Sequence, residues 1–109
     1  MVERTANAVI CTVPPAGLVA GNAEVVRGLV AEIAPGQTAV VDLVRAADTV
    51  DGDGLAALLE LIAAVRRAGG RVAIAARGNL ARRLRFVGVE RLAPVCDSAA
   101  LALVAVRAR

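Results

Sequence analysis

Short runs of apolar, mostly β-branched residues alternate along this chain with stretches of helical periodicity, and proline or glycine closes most of the segments. Ala8 to Val13 is rich in β-branched residues and is stopped by Pro14-Pro15, which cannot donate to a sheet ladder, so it is expected to be a strand. Asn22 is a candidate cap for a helix with apolar residues at Val25, Val26, Leu29, Val30 and Ile33, opposite Glu24, Arg27 and Glu32, and Pro35-Gly36 ends it. Thr38 to Val44 is nearly continuous in apolar residues, which fits a strand buried on both faces. After a loop, Asp51-Gly52-Asp53-Gly54 opens a helix from Leu55 to Ala68 with Leu55, Leu58, Leu59, Ile62 and Val65 on one stripe, and Gly69-Gly70 stops it.

The pattern then repeats in shorter units. Arg71 to Ala76 is expected to be a strand, and Asn79 to Val87 a helix with Leu80, Leu84 and Val87 inward and Arg82, Arg83 and Arg85 outward. Leu92 to Val95 is a short edge segment because Pro94 excludes a central strand, and Ser98 caps a last helix bearing Leu101, Leu103, Val104 and Val106. Alternation of this kind implies an α/β domain whose mixed, mostly parallel sheet has about four strands and four helices, joined by right-handed crossovers.

A length of 109 residues with 58% hydrophobic content supports one core, hence a single domain over residues 1–109. Alanine supplies roughly a quarter of the chain and buries little area, so Val, Leu and Ile must build that core. The apolar runs fall short of the roughly 18 residues of a membrane span. The segment Met1 to Asn7 lacks the charge and apolar pattern of a secretory signal, so a cytoplasmic location is expected. Cys11 and Cys96 are isolated and read as small buried or half-buried hydrophobes rather than as a zinc or disulfide pair.

In sheets of this type ligands meet the carboxyl ends of the strands, which directs attention to the loop from Arg45 to Gly54. The carboxylates of Asp51 and Asp53 on a glycine-rich turn superficially suggest a metal or phosphate site. The sequence runs straight into Leu55-Ala56-Ala57-Leu58 without further oxygen ligands, acids at the turn repel an anion, and the chain has no lysine to reach one. The competing reading is that Asp51 or Asp53 caps the helix and meets its dipole. No cofactor and no metal are expected. The chain has no histidine to act as a base, and its one serine, Ser98, reads as a cap, so it is expected not to be an enzyme.

All 13 basic residues are arginines, set against 10 acids for a net charge of +3, and their distribution is uneven. Glu24 to Glu60 is predominantly acidic, whereas Arg66 to Arg91 holds eight arginines and only Glu90. Arg77, Arg82, Arg83 and Arg85 form a candidate basic contact face. It is read either as a solvated helix face, with arginine stems covering apolar surface, or as a contact for an acidic protein; nucleic acid is not expected, since no aromatic residues accompany the arginines for base stacking.

From about Ala8 to Val106 the chain resembles the STAS domain of bacterial anti-sigma factor antagonists. The resemblance rests on Val40-Val41-Asp42-Leu43, Val50-Asp51-Gly52-Asp53-Gly54-Leu55, Ala68-Gly69-Gly70-Arg71-Val72 and the stretch from Leu80 to Ser98, in that order and spacing. It implies a STAS-like fold and regulation of sigma-factor-dependent transcription by protein–protein interaction. The expected partner is a kinase-fold anti-sigma factor, bound through Asp51, Gly52, Asp53, Gly54 and Leu55, with Arg45 and Asp48 tuning the surface. In the family the turn usually reads Asp-Ser-Ser/Thr/Ala-Gly-Leu and phosphorylation of its first serine breaks the complex. Here Gly52 replaces that serine, so the usual switch is expected to be absent. Val19 stands where the family often has an Asp, the loop from Leu43 to Asp51 is one residue longer than usual, and Thr49 is the nearest hydroxyl. The alternative role implied by the resemblance is that of an accessory subunit of an ABC transporter or another membrane-associated complex. Oligomeric state is left open.

Overall fold

The computed structural model describes residues 2–5 and 8–107; Met1, Ala6 and Asn7 of the N-terminal segment lie outside the described residues. Its sheet has five strands in the order β1-β2-β3-β4-β5: β1 (Val2–Arg4), β2 (Ala8–Thr12), β3 (Thr38–Asp42), β4 (Arg71–Ala75) and β5 (Val95–Cys96). Strand β1 is antiparallel to β2 and every other pairing is parallel. The α-helices among the described residues are α1 (Ala23–Gly28), α2 (Gly52–Arg67), α3 (Gly78–Phe86) and α4 (Ala99–Arg107).

Register places Val9 beside Ala39 and Ala39 beside Val72, and likewise aligns Cys11, Val41 and Ile74. Because side chains alternate along a strand, Val9, Cys11, Val41, Val72 and Ile74 share one face, which α1, α2 and α3 cover to form the larger core. Val40, Ala73 and Ala75 point the other way and meet Ala102 and Val106 of α4, the one helix among the described residues on that face. The methyl-sized side chains at 73, 75 and 102 let helix and sheet approach closely.

Several expected boundaries move, each for a local reason. The fifth strand, β1, was not expected: three residues, two of them charged, carry no periodic signal, and they form a strand by pairing along the free edge of β2. Arg4 then reaches Glu32 at 2.8 Å. The helix expected from Asn22 to Ile33 shortens to α1 between two 3₁₀ turns, Ala20–Asn22 and Leu29–Glu32. Gly28 weakens helix propagation there, Asn22 turns its side-chain amide to the Gly17 carbonyl instead of capping, and Val25 faces solvent. Strand β3 stops at Asp42, whose Oδ1 accepts from the Val44 amide.

Helix α2 begins at Gly52, three residues before the expected start. Leu58, Ile62 and Val65 are buried as expected and are joined by Ala57 and Leu61, while Leu55 and Leu59 are only partly buried. Val87 lies beyond α3 and is exposed rather than inward. The expected edge segment shifts from Leu92–Val95 to Val95–Cys96, paired in parallel with Ile74 and Ala75. In α4, apolar on nearly every face, Ala102 and Val106, one turn apart, face inward against Val40, Ala73 and Ala75, and Leu101 and Val104 face outward. Ser98 caps this helix as expected, accepting from the Leu101 amide. Cys11 is buried and Cys96 half-buried.

Candidate functional site

The carboxyl ends of β2 and β3 feed two loops, residues 13–19 and 43–51, that are hydrogen-bonded to each other. Ala47 N–H donates to the Pro15 carbonyl at 2.8 Å, Asp51 N–H donates to the Leu18 carbonyl at 2.9 Å, and Leu18 and Val50 form a parallel bridge. Gly17, with φ of 88°, presses on the Ala47 carbonyl, a backbone conformation that a side chain would strain.

Asp51 closes this assembly. Its backbone is extended at the N-cap of α2; Oδ1 accepts from the Gly54 amide and Oδ2 from the Ala20 amide, each at 2.8 Å. One carboxylate therefore caps α2 and ties it to the loop after β2. The amides of Gly54 and Ala20 hold the carboxyl below its ordinary aspartate range by bonding its charged form. Of the two aspartates that could cap, Asp51 does so, and Asp53 is exposed in the first turn, where a negative charge suits the helix dipole.

Gly52 and Gly54 play opposite parts. Around Gly52 nothing stands within 4 Å of where a Cβ would be, so the position normally held by the phosphoacceptor in the resembling family is open to solvent. Gly54 is buried against Leu18 and Val19. Val19 thus sits beside the start of α2. Leu55 is half-buried and Thr49 exposed.

Arg45 and Asp48 are exposed on the loop after β3. The Asp48 carbonyl accepts from Arg83 Nη1 at 3.2 Å, which joins this loop to the outer face of α3. Arg77 stands at the N-cap of α3, at the same end of the sheet, and Arg82 is exposed one turn along. Arg85 leaves the expected basic face: its guanidinium donates to the Val95 carbonyl at 2.9 Å and pairs with Glu90, whose carboxylate accepts from the Val95 amide. That side chain holds β5 in place. No aromatic residue was expected beside the arginines, but Phe86, the chain's one aromatic, is 92% exposed on the same face as Arg82, four residues earlier. Its phase on α3 was the available signal. Among the described residues no group of His, Cys, Asp and Glu is arranged to hold a metal, and no helix is long and apolar enough to cross a membrane.

A five-stranded, mostly parallel sheet with three helices on one face and one on the other is the fold of solved anti-sigma factor antagonists. The structure superposes on the crystal structure of a proposed anti-sigma factor antagonist, TM1081 from Thermotoga maritima, with a TM-score of 0.82 and 18% identity, over 98% of this chain and 93% of that one. The NMR structure of TM1081 gives a TM-score of 0.79 at 18% identity, over 99% of this chain and 88% of that one. An anti-sigma factor antagonist from Mycobacterium paratuberculosis superposes with a TM-score of 0.73 and 22% identity, over 98% and 92% of the two chains. No family model matches the sequence, and no curated protein does. At these identities the likeness establishes the fold.

Proposed function

We propose that this chain is a non-enzymatic regulator that binds a kinase-type anti-sigma factor through the surface made by Gly52, Asp53 and Leu55, the Arg45–Asp48 loop and the outer face of α3, with Asp51 and the buried Gly54 holding the helix start in place. The observation that carries this reading is the start of α2. On the fold of anti-sigma factor antagonists, a braced helix N-terminus presents an open Gly52 and a free Asp53 carboxylate. Asp51 is already engaged by two backbone amides and acts as the brace.

Binding at this surface runs without phosphorylation at the helix start, because Gly52 offers no hydroxyl. In a serine-bearing turn, a phosphate of about −1.5 to −2 charge would be added beside Asp53, where that carboxylate repels it and closing the contact over it carries a desolvation cost. Here the charge on that turn is fixed, and the complex is governed by something other than modification of residue 52. The test is affinity capture of the tagged protein from its own cell lysate alongside an Asp53→Lys variant. Recovery of an ATPase-fold anti-sigma factor, lost in the variant, is expected. Recovery of transporter subunits instead would overturn the regulator role in favour of an accessory subunit.

A further inference from the structure

At the opposite end of the sheet from the Asp51 turn, the C-terminus of α2, the start of β4, the turn at Val89–Arg91 and the end of α4 border an open hollow of about 180 Å³. Arg66, Arg71 and Arg91 line it, over a floor that includes Val72 and Val106. A second hollow of about 380 Å³ adjoins it, with Arg66 and Leu92 as shared walls and Ile62, Ala63 and Arg67 as the remainder. Among the described residues, no acidic side chain lines either one.

Elsewhere Arg4 pairs with Glu32, Arg27 with Glu24 and Glu60, and Arg85 with Glu90, while Arg45, Arg77, Arg82 and Arg83 have no carboxylate partner among the described residues and belong to the exposed loop and outer helix face at the other end of the sheet. Among the described residues, Arg66, Arg67 and Arg91 have no carboxylate partner, and Arg71 donates only to the Val106 carbonyl at 3.4 Å. The dipole of α2 favours cations in its last turn and so accounts for Arg66 and Arg67. It does not account for Arg71 and Arg91, which come from two other elements and meet Arg66 around the same space. Three guanidiniums that line one hollow each offer fork-shaped donors suited to a carboxylate, sulfonate or phosphate. The adjoining wall is apolar, and Leu92 is 41% exposed there.

We infer that this double hollow binds a small organic anion, its acidic head held by Arg66, Arg71 and Arg91 and its apolar or aromatic body laid along Ile62, Ala63 and Leu92. The site lies away from the Asp51 turn, so it is independent of the partner-binding reading. An anion there would tie α2, β4 and α4 together at the end of the domain that the partner surface does not use.

The probe is anilinonaphthalene sulfonate, an aromatic body carrying one anionic head, whose fluorescence rises on transfer from water to an apolar surface. Titration into the full folded chain at low salt is expected to saturate, with heteronuclear NMR shifts centred on Arg71, Val72 and Leu92. Arg66→Gln and Arg91→Gln, which remove exposed side chains that bond no other described residue, should each weaken binding about tenfold while leaving the melting temperature unchanged. Equal affinity for the wild type and the Arg66→Gln/Arg91→Gln double variant would overturn the inference. So would absent binding, or shifts confined to the exposed Leu101 and Val104 of α4.

Discussion

Gly54 is seated so tightly against Leu18 that a Cβ at position 54 would stand 2.0 Å from both the carbonyl carbon and the carbonyl oxygen of Leu18. The first turn of α2 packs directly on the backbone after β2, and the amide of Asp51, at the cap of that turn, bonds to the same Leu18 carbonyl. Neither atom belongs to a side chain that could swing aside. Gly54→Ala must therefore separate α2 from the loop, at a cost of about 3 kcal/mol. A fall in melting temperature of more than about 10 °C is expected by circular dichroism. Gly52→Ala, at a position with open space, is the control and should melt with the wild type.

The same openness gives Gly52→Ser its use. The serine would enter the first turn of α2 without a clash and should leave the fold unchanged. On the proposed function, an anti-sigma kinase that recognises this surface phosphorylates the variant and leaves the wild-type turn unmodified. Incorporation of labelled phosphate, mapped by mass spectrometry, distinguishes the two. Phosphate on Thr49 of the wild-type loop would show that a neighbouring hydroxyl has taken over the switch.

The sequence made the strand and helix order readable because the buried strands are short and rich in Val and Ile, and because proline or glycine follows β2, α2 and α3. The capping aspartate was legible too, as one of two candidates. What escaped it depended on contacts distant in sequence. Strand β1 exists because β2 offers a free edge, and α4 is too uniformly apolar for its inward face to be phased before the alanine-lined sheet is in place. Arg85 looked like its neighbours Arg82 and Arg83, and only the return of the chain at Glu90 and Val95 assigns it to the fold. The two glycines of the turn are indistinguishable as letters, yet one is packed against backbone and the other is open.

Asp51 should make stability depend on pH in a defined direction. Its folded-state pKa is lowered by the amides of Gly54 and Ala20, so its contribution is fully present above the unfolded aspartate value of about 4. It is lost as pH falls through the lower folded value. Asp51→Ala is expected to melt on the order of 5 °C below the wild type at pH 7. In thermal melts collected between pH 7 and pH 2 the gap should narrow only in the acid range; a constant gap would mean that the carboxylate charge contributes nothing.

Cys11 is fully buried in the larger core, and burial pushes its thiol above the ordinary range. Iodoacetamide at pH 8 should leave Cys11 unmodified in the folded protein and alkylate it once denaturant is added. Peptide mapping of the two thiols checks this, since rapid native alkylation of Cys11 would require β2 to open.

Phe86 offers the separation of binding from folding that the Asp51 turn cannot, because it is 92% exposed and its removal opens no cavity. Arg82 lies one turn earlier on the same face, and Arg83 links that face to the Asp48 loop. An exposed aromatic flanked by arginines has the composition of an interface anchor. Phe86→Ala and Arg82→Glu are therefore expected to keep the wild-type melting temperature while each weakens binding of the anti-sigma factor by about tenfold or more in isothermal titration. For the charge reversal the loss should also grow as salt is lowered, since the repulsion it sets up against an acidic partner is screened at high ionic strength. Unchanged affinity in both variants would confine the contact to the Asp51 turn and leave the outer face of α3 as a solvated surface.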